Sequence, residues 1–235
     1  MTIQDFQARL VGFINRDAQI FTQSQGGNLN QVTFAMHDAV RAAQREHTFA
    51  LNRTDAFLTT SEVGANWMTA CKSVPSGTTS VLMKRVDSVW NYSTTSVTAG
   101  TVYARTSRID LDSSGAFKRE LPVDSGSSVL DGTSLVTTRR KFAYLNGQNL
   151  HITTVGTATP VLVNGIKFID AVTDNDIFLT YFQDWLHWAT LIQLNQYLKQ
   201  DQRINIDLTF VSKLWQSVKE MDGQTANSGD YTSLD

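Results

Sequence analysis

The chain has 235 residues, of which 41% are hydrophobic, enough to bury a core as one large domain or as two closely packed parts, and outside the range of disordered sequences. Its 20 Lys and Arg against 22 Asp and Glu leave a net charge of -2, which supplies no general attraction for a polyphosphate and disfavours sequence-specific nucleic-acid binding. The lone cysteine, Cys71, excludes an intrachain disulfide and a cysteine-based zinc site, and the absence of a long apolar run or a secretory pattern in MTIQDFQARL makes cytoplasmic synthesis the expectation.

At the start of the chain Ile3, Phe6, Leu10, Phe13 and Ile14 recur at helical steps, which predicts a helix over 2–18 begun by a Thr2/Asp5 capping box. SQGGNLN breaks the pattern, and Asn28 or Asn30 can cap a second helix that runs to about 46. Its inner stripe reads Val32, Ala35 or Met36, Ala39 or Val40, and Ala43, with alanines that suit close helix approach. From 49 onward Thr, Ser, Val and aromatics alternate between turn residues, predicting strands at 49–59, 67–73, 80–90, 101–105, 134–138, 141–145, 149–155 and 160–171. Asn146-Gly147 and Asn164-Gly165 are each predicted to turn a hairpin, because both central residues of such a turn adopt positive φ. The segment 113–132, rich in Ser, Gly and Asp, reads as a surface excursion.

Helical spacing returns at Thr173, where Thr173 and Asp176 form a second capping box. The following stretch carries Ile177, Tyr181, Trp185, Trp188 or Ala189, Ile192 and Leu198, and is apolar over more than half its circumference, so protein should surround it. A last helix is predicted from Asp207, with Phe210, Val211, Leu214, Trp215, Val218 and Met221 inward and Gly223 as its stop. The expected fold class is α+β. A helix pair at 1–48 and another at 173–223 pack as a helical bundle, a mostly antiparallel β region at 49–172 is inserted between them, and 224–235 is a flexible tail. The expected bundle core is Phe6, Leu10, Phe13, Val32, Val40, Tyr181, Trp185, Trp188, Ile192, Leu214 and Trp215.

Motifs for chemistry fail on inspection. Residues 110–121 open like a calcium loop with Asp110, Asp112, Ser114 and Gly115, but the closing position is Leu121 instead of Glu, and Lys118 puts a cation at a ligand position. His37, His47, His151 and His187 share no ligand spacing, and His187 between Trp185 and Trp188 reads as a partly buried histidine satisfied by a neighbour. Cys71 reads as a small buried apolar residue. Gly26-Gly27 lacks the residues of a phosphate loop. Lys84-Arg85 and Arg139-Arg140-Lys141 read as solvated faces or subunit contacts, and Trp67, Trp90, Tyr92 and Tyr103 as core or interface more readily than as a sugar-stacking platform. No catalytic, metal-binding or cofactor-binding residue is assigned, and the expectation is a protein that is not an enzyme and needs no cofactor.

Three segments resemble the head-to-tail adaptor proteins of tailed bacteriophages. NQVTFAMHDAVRAAQREHTFALNRTDAFLTT is similar to that family's second helix and first strand, through Glu46, His47 and Phe49. FIDAVTDNDIFLTYFQDWLHWATLIQLNQYLKQDQRINI is similar to its long helix, through Trp185, Trp188 and the stretch 194–203, and FVSKLWQSVKEMD to its last helix, through Trp215 and Asp222. The β region fits loosely, through TSRIDL and FAYLNGQNLHI. The resemblance implies a structural role in the virion neck. The chain would form a homo-oligomeric ring, a dodecamer, between the portal protein and a downstream tail, nozzle or stopper protein, letting DNA pass without sequence-specific binding and touching no membrane. It also implies that the tail docks on the portal through Tyr231, Leu234 and Asp235. The alternatives are another neck or tail component, such as a stopper or tail-tube protein, and a glycan-binding or hydrolase domain.

Overall fold

The computed structural model describes residues 1–14, 31–61, 63–98, 100–112, 130–131, 134–135, 142–152, 159–198 and 201–229. It divides into two compact units, one of residues 1–52 with 168–235 and one of residues 53–167.

The first unit is helical. Helix α1 (Ile3–Ile14) begins with the predicted capping box: Asp5 accepts from the Thr2 backbone N–H and hydroxyl at 3.2 and 2.7 Å, and the Thr2 hydroxyl accepts from the Asp5 N–H at 3.1 Å. Helix α2 (Gln31–Glu46) buries Val32, Ala35, Met36, Ala39, Val40 and Ala43 and is followed by a 3-10 turn, Ala50–Asn52. A short α3 (Ile177–Thr180) leads into α4 (Gln183–Leu198), and α5 (Asp201–Gly229) is the longest. Helix α4 lies between α2 and α5 and packs against both, as its apolar residues on every side require. The core contains Phe6, Leu10, Val32, Val40, Phe49, Phe178, Leu186 and Trp185, with Trp188, Leu214 and Trp215 partly buried against it and Ile192 half-buried.

The second unit is one seven-stranded sheet in the order β1-β9-β3-β4-β7-β8-β2, plus a separate two-stranded β5-β6. Its strands are β1 (Arg53–Thr60), β2 (Ala65–Asn66), β3 (Met83–Val97), β4 (Gly100–Asp112), β5 (Leu130–Asp131), β6 (Ser134–Leu135), β7 (Phe142–Asn146), β8 (Asn149–Ile152) and β9 (Thr159–Lys167). Neighbours in the seven-stranded sheet are antiparallel except β4 and β7, which run parallel. The sheet curls until it is nearly closed: at the end of β1 the Thr60 hydroxyl donates to the Leu150 carbonyl on β8 at 2.6 Å, and the Ile152 N–H donates to the Ser61 carbonyl at 3.1 Å. Inside lie Leu58, Met83, Val89, Ile109, Leu150, Ile152 and Val163.

The expected fold class is therefore corrected. The chain is not a helical bundle with an inserted β region; it is mixed α/β, with a nearly closed, barrel-like sheet that encloses its own core and with five helices among the described residues. The helices do not form two facing pairs either, because α4 is flanked by α2 and α5 while α1 meets it only at a few residues. Strands β3 and β4 are also longer than the strands expected at 80–90 and 101–105, and pair as a long hairpin.

Smaller corrections follow from local physics. Asn164-Gly165 turns no hairpin: both residues sit inside the continuous β9, opposite Asp55 and Thr54 of β1. Residues 67–73 form no strand of the sheet, and only Lys72 bridges, to Phe57 and Ser80. Phe13 and Tyr181, expected in the core, are 42% and 53% exposed, and Phe210 and Met221 are also exposed. Helix α5 passes through Gly223, so 224–229 continues the helix instead of starting a tail. No described helix is long and apolar enough to cross a membrane.

Candidate interaction site where the chain ends meet

The residues that carried the resemblance come from opposite ends of the sequence, and within the helical unit they converge. Helix α2 ends by presenting Glu46, and the chain then leads through His47 and Phe49 into the 3-10 turn. On α5, Trp215, Val218 and Asp222 follow at intervals of three and four and so lie along one face. Asp222, 2% exposed, accepts three hydrogen bonds: from His47 Nε2 at 2.9 Å and from the backbone N–H groups of Ala50 and Leu51 at 3.0 Å each. Those amides open a turn and lack a carbonyl partner earlier in the chain, so the carboxylate caps them as it would a helix start.

Above this capped turn the rings gather. Trp215 Nε1 donates to Glu46 Oε1, its ring lies 5.2 Å from that of Trp185 and 6.0 Å from that of Phe49, and Phe49 meets Phe178 edge to face at 5.0 Å. Trp188 stacks on Phe210 at 4.7 Å and stands edge-on to Phe13 at 5.5 Å. His187 is buried, edge-on to Phe13 and Trp188, and its Nδ1 has no hydrogen-bond partner among the described residues. Burial, helped by Arg9, pushes its pKa down while Asp184 opposes the shift.

Beside the ring cluster an open cleft of about 380 Å³ is bounded by Tyr181, Phe182, Trp185, Leu214, Val218 and Met221. The predicted docking residues Tyr231, Leu234 and Asp235 lie outside the described residues, as do Gly26-Gly27, Asn28, Asn30, Arg139-Arg140-Lys141 and most of 110–121. Asp110 and Asp112 belong to β4.

In the sheet unit, Asp55 accepts from Arg105 at 2.6 Å and from Asn164 Nδ2 at 2.7 Å, and the Arg105 guanidinium lies 5.6 Å from the centre of the Trp90 ring. Tyr92 and Tyr103 meet Phe57 at 5.1 and 4.8 Å with steeply inclined planes. Burial next to Tyr103 raises the Tyr92 pKa. The rings thus interlock instead of offering one flat face, and Trp67 is not among them: it is buried in the sheet core with Nε1 donating to the Gly147 carbonyl at 3.1 Å. Cys71 is buried with its thiol pushed up to about 12. Among the described residues no group of three or more His, Cys, Asp or Glu could hold a metal ion.

Sequence reasoning named Asp222 only through the resemblance and missed its partners Ala50 and Leu51, since a carboxylate 172 and 171 positions away leaves no local signal. No family model matches the chain, and no curated protein matches it.

Proposed function

We propose that this chain is a structural head-to-tail adaptor of a tailed bacteriophage, assembling as a dodecameric ring in the virion neck between the portal and the next tail component. The observation that supports this reading is the meeting of Glu46, His47 and Phe49 with Trp185, Trp215 and Asp222. These residues, picked out by likeness to the adaptors at the two ends of the sequence, are neighbours in the helical unit, as a shared piece of architecture would require. The adaptor works by fit and not by turnover: a pre-organised helical unit presents a surface, and symmetry multiplies modest contacts into stable attachment. Residues 230–235, with Tyr231, Leu234 and Asp235, dock on the portal, and DNA passes through the ring with no base read.

The test is reconstitution of the full chain with its cognate portal, followed by imaging. A ring coaxial with the portal is the expected result; a chain that remains monomeric with intact portal would overturn the reading. Because α5 runs to Gly229, the informative truncation ends there, not after Asp222, which would cut the helix itself. Loss of portal binding with unchanged circular dichroism is expected, and unchanged affinity would refute tail docking.

A further inference from the structure

The β3-β4 hairpin outgrows the sheet that carries it. On one side β9 pairs with β3 only from Met83 to Trp90; on the other, β7 pairs with β4 only from Asp110 to Asp112. Beyond those limits Asn91–Val97 of β3 and Gly100–Ile109 of β4 have strand partners only within the hairpin, and among the described residues neither outer edge has a strand partner. Residues 93–98 are exposed along their whole length, with no alternation, and Val97 and Val102 are 47% and 49% exposed. A two-stranded ribbon of this kind is marginal alone in water. Free strand edges are normally blunted with Lys or Pro, yet residues 91–104 contain no charge and no proline, and Thr, Ser, Val and Tyr, all compatible with strands, predominate.

We infer that this ribbon is the contact between neighbouring copies of the chain, the outer edge of β4 in one copy pairing antiparallel with the outer edge of β3 in the next. This rests on the ring reading and names the surface that builds it. Edge count selects the arrangement. Pairing β4 with β4 about a two-fold axis leaves both β3 edges open, and pairing β3 with β3 leaves both β4 edges open. Pairing β4 on β3, head to tail, covers both edges of every copy. Such a contact is heterologous, and a heterologous contact closes into a ring when the rotation between copies closes.

Two experiments on the full chain decide it. The Ser96→Lys/Val102→Lys variant charges both edges at exposed positions that are not cross-strand partners; light scattering should show association weakened at least tenfold, with unchanged circular dichroism and unfolding midpoint. Separately, Ser96→Cys chains mixed with Ala104→Cys chains and treated with a short bis-maleimide should cross-link to each other in preference to themselves, the buried Cys71 staying silent. Assembly of the lysine variant at native affinity, or like-with-like cross-links, would overturn the inference while leaving the ring intact. If the lysine variant does not fold, the cross-linking result alone decides. A native chain that forms no ring with its portal would remove both the adaptor reading and this contact.

Discussion

The Asp222 carboxylate is a heavily committed side chain in the helical unit: two backbone amides and one imidazole donate to it, and it is itself buried. Asp222→Ala leaves those donors stranded, and each stranded buried donor costs about 1–3 kcal/mol. A fall in the urea unfolding midpoint corresponding to about 3 kcal/mol is expected; a change within error would mean that water replaces the carboxylate. His187 gives the opposite kind of constraint. Because its pKa in the folded chain is depressed below 6.5, the unfolded chain binds the proton more readily, so its contribution is fully present above about pH 6.5 and is lost as pH falls through the depressed value. Unfolding midpoints at several pH values should therefore drop more steeply below 6.5 for the native chain than for His187→Leu, carboxylate effects being common to both. Equal slopes would place the titration elsewhere, for example at His37, whose pKa burial also lowers. The Thr2/Asp5 box was legible in the sequence because its partners are three residues apart; the Asp222 cap was not, because its meaning depends on a turn formed far away.

Glycine shows how far a local signal reaches. The Asn146-Gly147 signal marks a hairpin but is one residue early: Asn146 pairs with Asn149, so the two-residue turn between β7 and β8 is Gly147-Gln148, with Gly147 at φ 61°. Asn164-Gly165 has the same letters and sits in mid-strand. There Gly165 lies against the Arg85 carbonyl on β3, beside the bulges that shift that register, so the missing side chain serves a close backbone approach. Gly165→Ala would collide with that carbonyl and should cost about 2–3 kcal/mol, a large overpacking penalty, in chemical denaturation. Gly223 is the counter-case. A methyl group there meets nothing, and the residue lies inside α5, so Gly223→Ala should stabilise the chain by about 0.5–1 kcal/mol, the helix-propensity difference. Reading Gly223 as a stop failed because a glycine ends a helix only where the chain turns away, and α5 has Asp222 held from the side to keep it straight.

Across the chain, helices were legible where spacing was strict and burial one-sided, as in α2. The nearly closed sheet was not, because closure depends on which strands meet, and the Thr60 to Leu150 bond joins residues 90 positions apart. The chain holds two apolar cores, one in the helical unit and one within the sheet. The hairpin that projects from that sheet gives a measurement on the assembled state. Amides of Asn91–Val97 and Gly100–Ile109 that face outward should exchange with deuterium in seconds to minutes in isolated chains and be protected at least tenfold in the proposed ring. Equal exchange in both states would mean that the arm stays bare on assembly.

The bond between His47 and Asp222 also has a timetable. It spans 175 positions, and a ribosome adding roughly 5–20 residues per second needs about 9–35 seconds to cover that distance. For most of that interval α2 and Phe49 are made but α4 is not, and α5 is completed only after it. The nascent chain thus passes through a stage with a sticky apolar stripe on show, and chaperones that shield such stripes have their opportunity then, before the last helix emerges.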